Sequence, residues 1–72
     1  MTDLTATLTI HRLKLPPIGE HKGRIGWRPE LTLQRGGETR THMSRVYAYK
    51  RDAEFYGQRL LDSADLDLWE AI

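Results

Sequence analysis

"RIGWRPELTLQRGGETRTH", residues 24 to 42, alternates apolar and polar positions and then meets two glycines. Ile25, Trp27, Leu31 and Leu33 fall at odd numbers, while Arg24, Arg28, Glu30, Thr32 and Gln34 fall at even ones. A period of two is the pattern of a strand with one buried face. Gly36 and Gly37 are both free to take positive φ, so the stretch reads as a strand, a tight turn and the start of a partner strand. Pro29 removes one amide donor, which puts its strand at an edge or bends it there.

The partner strand is "TRTHMSRVYAY", residues 39 to 49. Its register decides what faces water, because a slip of one residue exchanges the two faces. Setting Leu31 against Met43 and Trp27 against Tyr47 keeps apolar beside apolar. On that register Arg40 and His42 join Arg24 and Arg28 outside.

Upstream, "TATLTIHRLKL", residues 5 to 15, also alternates but changes phase: Leu8 and Ile10 are even, Leu13 and Leu15 odd. A β-bulge near His11 and Arg12 would keep all four on one buried face and leave Arg12 and Lys14 in water. "PPIGEHKG", residues 16 to 23, then breaks the strand and reads as a long hairpin connection.

Downstream, the period lengthens. Ala53, Tyr56, Gly57, Leu60 and Leu61 recur at spacings of three and four, which predicts an amphipathic helix from Lys50 to Leu61 lying across one face of the sheet. Gly57 on that stripe allows close approach. Phe55 points the other way, between Arg51 and Arg59, and is a candidate aromatic anchor for a partner, with packing against the helix as the competing reading. "SADLDLWEAI" places Ser63 as N-cap and Asp65 in the first turn of a short terminal helix with Leu66, Trp69 and Ile72 as its stripe. A strand over residues 66 to 71 is the alternative, and Trp69 reads as a core plug. The expected fold is α+β: a three-stranded antiparallel sheet, one helix packed on one face and a short C-terminal helix, in a single small domain spanning residues 1 to 72.

A chain of 72 residues buries only about 60% of the surface its unfolded form exposes. With no cysteine it has neither a disulfide framework nor a thiolate metal site, a composition that fits a reducing cytoplasm. The opening "MTDLTATLTI" lacks a basic leader region, and no run of about 18 apolar residues occurs. Neither secretion nor a membrane partner is expected.

Charge is strongly partitioned. Residues 11 to 51 carry ten Lys and Arg against three Glu, a net of +7, whereas residues 52 to 72 carry six acids against Arg59, a net of −5. Such asymmetry bears on partners rather than on fold. The expected basic sheet face comprises Arg12, Lys14, Arg24, Arg28, Arg40 and His42, and guanidinium groups suit phosphate or carboxylate oxygens. The acidic end, with Asp62, Asp65, Asp67 and Glu70, is a second candidate surface that could imitate backbone phosphates.

Catalysis is not expected. His11, His21 and His42 are scattered, Ser44 and Ser63 sit in no nucleophile elbow, and "RGGE" lacks the Gly-Lys-Ser/Thr of a phosphate loop. No metal or cofactor is implied. The order strand, strand, glycine turn, strand, helix, with "SRVYAYKRDAEFYGQRLL" at the last junction, resembles the amino-terminal arm-binding modules of phage integrases. Tyr47, Lys50, Asp52 and Ala53 match their helix-opening pattern, and Tyr49 stands where those modules have a capping Thr. The size, lack of cysteine and sheet-plus-helix plan are also similar to some anti-CRISPR proteins. A small free-standing module with a basic face and an acidic end, taken with this resemblance, is expected to be a non-enzymatic accessory protein of a phage or mobile element that blocks a host nucleoprotein complex, an anti-CRISPR-like inhibitor. The alternatives are a small DNA-binding regulator using the basic sheet face and a self-associating structural module. The expected state is a monomer or weak homodimer.

Overall fold

The computed structural model describes residues 3–15 and 24–72; the connection expected over residues 16–23 lies outside the described residues. Three strands, β1 (Leu4–Lys14), β2 (Ile25–Arg35) and β3 (Glu38–Met43), are followed by helices α1 (Lys50–Asp62) and α2 (Leu66–Ala71). The strands form one antiparallel sheet in the order β1-β2-β3. This is the α+β plan expected: a three-stranded sheet, one longer helix on one face, and a short C-terminal helix.

The β2–β3 hairpin closes through two residues, with Arg35 opposite Glu38. Of its two glycines, Gly36 alone takes positive φ, at 62°, so one glycine satisfies the turn. Leu31 and Leu33 on β2 are fully buried and, with Trp69 of α2, form the core, packed round by Leu4, Ala6, Leu60, Leu61, Leu68 and Ile72. α1 crosses over β1 and β2 at Gly57. A Cβ there would lie 3.0 Å from Leu8 Cδ1 and 3.2 Å from Pro29 Cβ, so the glycine is what lets helix and sheet approach.

Two sequence expectations about register are corrected, and both errors trace to the location of the bulge. β1 and β2 pair without interruption from Leu4↔Arg35 to Lys14↔Ile25, so there is no bulge at His11 and Arg12. Leu8 and Ile10 therefore face the helices, while Leu13 and Leu15 face the other side. There Leu15 and Val46 close on Gly26, where a Cβ would meet Val46 Cγ1 at 2.6 Å. The ribbon buries one face near the helices and begins a small second cluster on the opposite face at its far end.

The bulge lies instead on the chain after β3. Ser44 N donates to Pro29 O at 3.0 Å, and Trp27 and Tyr47 form a bridge with hydrogen bonds of 2.8 and 2.7 Å. Two residues, Arg45 and Val46, thus oppose the single Arg28. Trp27 does face Tyr47 as expected, but ahead of the bulge the register differs by one: Leu31 pairs with His42, and Met43 pairs with Glu30. Arg40 and His42 consequently point to the helix side, not outward. Pro29 sits in the central strand rather than at an edge, and it is tolerated because its missing donor faces the interrupted part of the ladder.

At the C-terminal end, Ser63 is the C-cap of α1, not the N-cap of the next helix. Asp65 caps α2, its Oδ1 accepting from Leu68 N at 2.9 Å. Trp69 is buried as a plug, whereas Leu66 of the expected stripe is exposed.

Candidate nucleic-acid interface

The six residues expected on one basic sheet face are distributed over three places. Arg24 and Arg28 are on the face away from the helices. Arg12 and Lys14, opposite Trp27 and Ile25, are on the helix side at the far end of the ribbon; Arg40 and His42, opposite Leu33 and Leu31, are on that side within the body. Two of the six have internal tasks. Arg28 Nε donates to Ser44 O at 2.7 Å, filling the acceptor that an amide at position 29 would have taken. Arg40 lies 4.3 Å over the Trp69 ring, donates from Nη1 to Trp69 O, 2.6 Å, and from Nε to Glu38 Oε2, 2.8 Å. The outer face is largely threonine: Thr5, Thr7 and Thr9 on β1, Thr32 on β2, and Thr39 and Thr41 on β3 share it. His11 and Glu30, 3.2 Å apart, neutralise one another there when the imidazole is protonated.

The unengaged positive charge gathers elsewhere, around the bulge and along α1 as far as Arg59 in its last turn. Arg45 stands 5.3 Å over the Tyr47 ring, Lys50 5.6 Å over Trp27, Arg51 5.2 Å over Tyr49, and Arg59 5.9 Å over Phe55. Tyr47 stacks on Tyr56 with centroids 5.2 Å apart, and Phe55 meets Tyr56 edge-on at 5.1 Å. Tyr49, Phe55 and Tyr56 are 60%, 57% and 45% exposed. Among the described residues the only ion pair made by these four cations is Arg51 to Asp52 at 3.9 Å, with the Arg51 side chain 82% exposed. Such a pair contributes little in water.

Each element positions this strip for a local reason. The bulge turns Arg45 out while keeping Tyr47 on the helix side, and the helical spacing of Tyr56 and Arg59 brings both beside Tyr47 and Ser44, where they line a shallow groove with Leu60 and Ser63. Phe55, singled out in the sequence, belongs to the strip. Tyr47 and Tyr56 read as core positions because they share the inward period, yet they lie at its margin; Arg45 carried no signal beyond its charge, and Lys50 only its place in the helix-opening pattern.

The start of α1 departs from two helix rules. Its N-cap, Tyr49, has extended dihedrals but makes no side-chain cap hydrogen bond, although Ser, Thr, Asp or Asn there would satisfy an orphan amide. Lys50 and Arg51 place cations at the positive end of the helix dipole, with only Asp52 in compensation. Sites where local preferences are set aside are expected to serve function.

The acidic candidates sit at the C-terminal end of α1 and on α2, with Asp62 three residues beyond Arg59. Asp62 accepts from Gln58 Nε2 at 2.9 Å and Asp65 caps α2; Asp67 and Glu70 are exposed on α2. Among the described residues no three His, Asp or Glu side chains converge in a metal-holding group, and no helix is long and apolar enough to cross a membrane. In comparisons with known proteins, the chain matches no family model, no curated protein and no solved structure.

Proposed function

We propose that this protein is a non-enzymatic binding module that seats on a nucleoprotein complex and blocks it by occupying surface, taking exposed nucleic acid on the strip that runs from the bulge along α1. One observation carries the reading: three exposed rings, Tyr49, Phe55 and Tyr56, lie among four cations with no strong ion pair of their own among the described residues. Rings of this kind stack on unpaired bases, and the neighbouring guanidinium groups keep N–H donors for phosphate. The acids at the C-terminal end of α1 and on α2 suit a basic protein groove, so a complex that offers both protein and nucleic acid meets a surface of each sign. The narrower form of the reading, an anti-CRISPR-like accessory protein of a phage or mobile element, is supported by the resemblance in plan.

Fluorescence anisotropy with labelled single-stranded and duplex oligonucleotides tests the interface. Single strands should bind at micromolar concentration near 50 mM salt, with a log–log salt slope of roughly −3 for four phosphate contacts. Tyr49→Ala with Phe55→Ala should weaken that binding at least about tenfold, since each stacked base contributes about 1–3 kcal/mol. Absence of binding to either form, or undiminished binding by the double variant, would overturn the assignment.

A further inference from the structure

β1 is an edge strand of 11 residues. Leu15 N donates to Arg24 O, so the odd-numbered residues of this strand bond to β2, and the N–H and C=O groups of Leu4, Ala6, Leu8 and Ile10 point away from the sheet. Among the described residues nothing accepts or donates there. The opposite edge, β3, is short, at six residues, and ends in the bulge. β1 between Leu4 and Ile10 has none of the devices that protect an edge: no proline, no bulge and no charge.

The same stretch is nearly palindromic about Thr7. Paired antiparallel with itself, it sets Thr7 against Thr7, Thr5 against Thr9, Ala6 against Leu8 and Leu4 against Ile10, with Asp3 opposite His11 of the other copy. Every threonine then meets a threonine on the outer face, and every aliphatic side chain meets an aliphatic on the helix side. Arg12 and Lys14 fall just beyond the paired stretch. Moving the axis to Leu8 or to Thr9 would instead place Leu4 against Arg12 or Lys14.

We propose that two copies of this chain join through β1, antiparallel and centred on Thr7, into a continuous six-stranded sheet with both helical layers on one side. About eight new backbone hydrogen bonds would form, and the half-exposed Leu8 and Ile10 would gain aliphatic neighbours. Strand addition of this kind draws affinity from the main chain and specificity from alternate side chains.

Because the chain has no cysteine, single cysteines report the register directly. Thr7→Cys should form a disulfide-linked dimer under mild oxidation, since the residue meets itself at a non-hydrogen-bonded pair. Thr5→Cys and Thr9→Cys should each stay uncross-linked alone and cross-link when mixed. Analytical ultracentrifugation of the unmodified protein should show twice the chain mass at tens to hundreds of micromolar, and Thr7→Lys, which opposes two like charges, should return it to monomer with its circular dichroism unchanged. A monomer at all concentrations, or Thr9→Cys cross-linking with itself more readily than Thr7→Cys, would overturn the proposal.

Discussion

At position 29 the central strand carries a proline where the ladder to β3 calls for an N–H, and the Ser44 carbonyl left over accepts from Arg28 Nε at 2.7 Å. A partly buried carbonyl stripped of its donor costs about 1–3 kcal/mol, so the guanidinium is here a structural repair. Arg28→Ala should lower unfolding free energy by about 1.5 kcal/mol in urea titration. In a Pro29→Ala background, where the amide is restored, the same substitution should cost less than about 0.5 kcal/mol, a coupling near 1 kcal/mol. Strictly additive losses would show that Arg28 and Pro29 act independently. A sequence reader sees Arg28 as an outward charge, which it is by parity; the carbonyl it serves becomes visible only once the bulge is placed.

Among the elements, α2 is the smallest, at six residues, too short to persist as a helix by itself. It is held by Trp69 in the core and by Arg40, which covers the ring and bonds the Trp69 carbonyl. Arg40→Ala should destabilise the protein by about 2 kcal/mol, the scale of a charged hydrogen bond plus a cation–π contact, and hydrogen exchange should show the loss concentrated in residues 66–71. A uniform loss across the sheet would contradict the clamp. The strands, the glycine turn and α1 were legible because each has a clear period, and Gly57 because it interrupts an apolar stripe. The faces of Arg40, His42, Leu13 and Leu15 were not, since Leu31 against Met43 satisfied apolar pairing better than Leu31 against His42, the pair the fold adopts. What separates the two registers is a tryptophan 29 residues downstream of Arg40 and a bulge that no local pattern announces. Of the candidate interface, Phe55 and the departure at Tyr49 were legible; the convergence of Arg45, Tyr47 and Tyr56 depends on that same bulge.

Over the whole molecule, the start of α1 opposes its own dipole, with Lys50 and Arg51 set against Asp52 alone, while Arg59 in the last turn is placed as the dipole favours. Helix stability alone would favour the reverse at the start. Tyr49 adds to this, because its ring takes the place of a cap. Tyr49→Thr should therefore raise stability by about 1 kcal/mol, read as a higher urea midpoint, while weakening single-strand binding about tenfold, read by anisotropy. Stabilisation with undiminished binding would remove Tyr49 from the interface. The molecule is long for its size, 49 Å by 20 Å by 16 Å: the helices cover one end of the ribbon and leave its far end, with Arg12, Lys14 and Arg24, projecting.

The two-residue turn at Gly36 and Gly37 also sets an order in time. A hairpin closed by so short a turn forms in about 1–10 μs, whereas β1 must close the longer connection to β2, and Trp69 must return across 29 residues to reach Arg40. Loop closure of that span slows the later contacts. In pulse-labelled hydrogen exchange, the amides of Arg40 and His42 should gain protection before that of Trp69; simultaneous protection would deny the order. The hairpin that holds Arg28, Pro29 and Arg40 would then be the first part of the chain to keep its shape, and the acidic C-terminal turn, waiting on its clamp, the last to arrive and the first to leave.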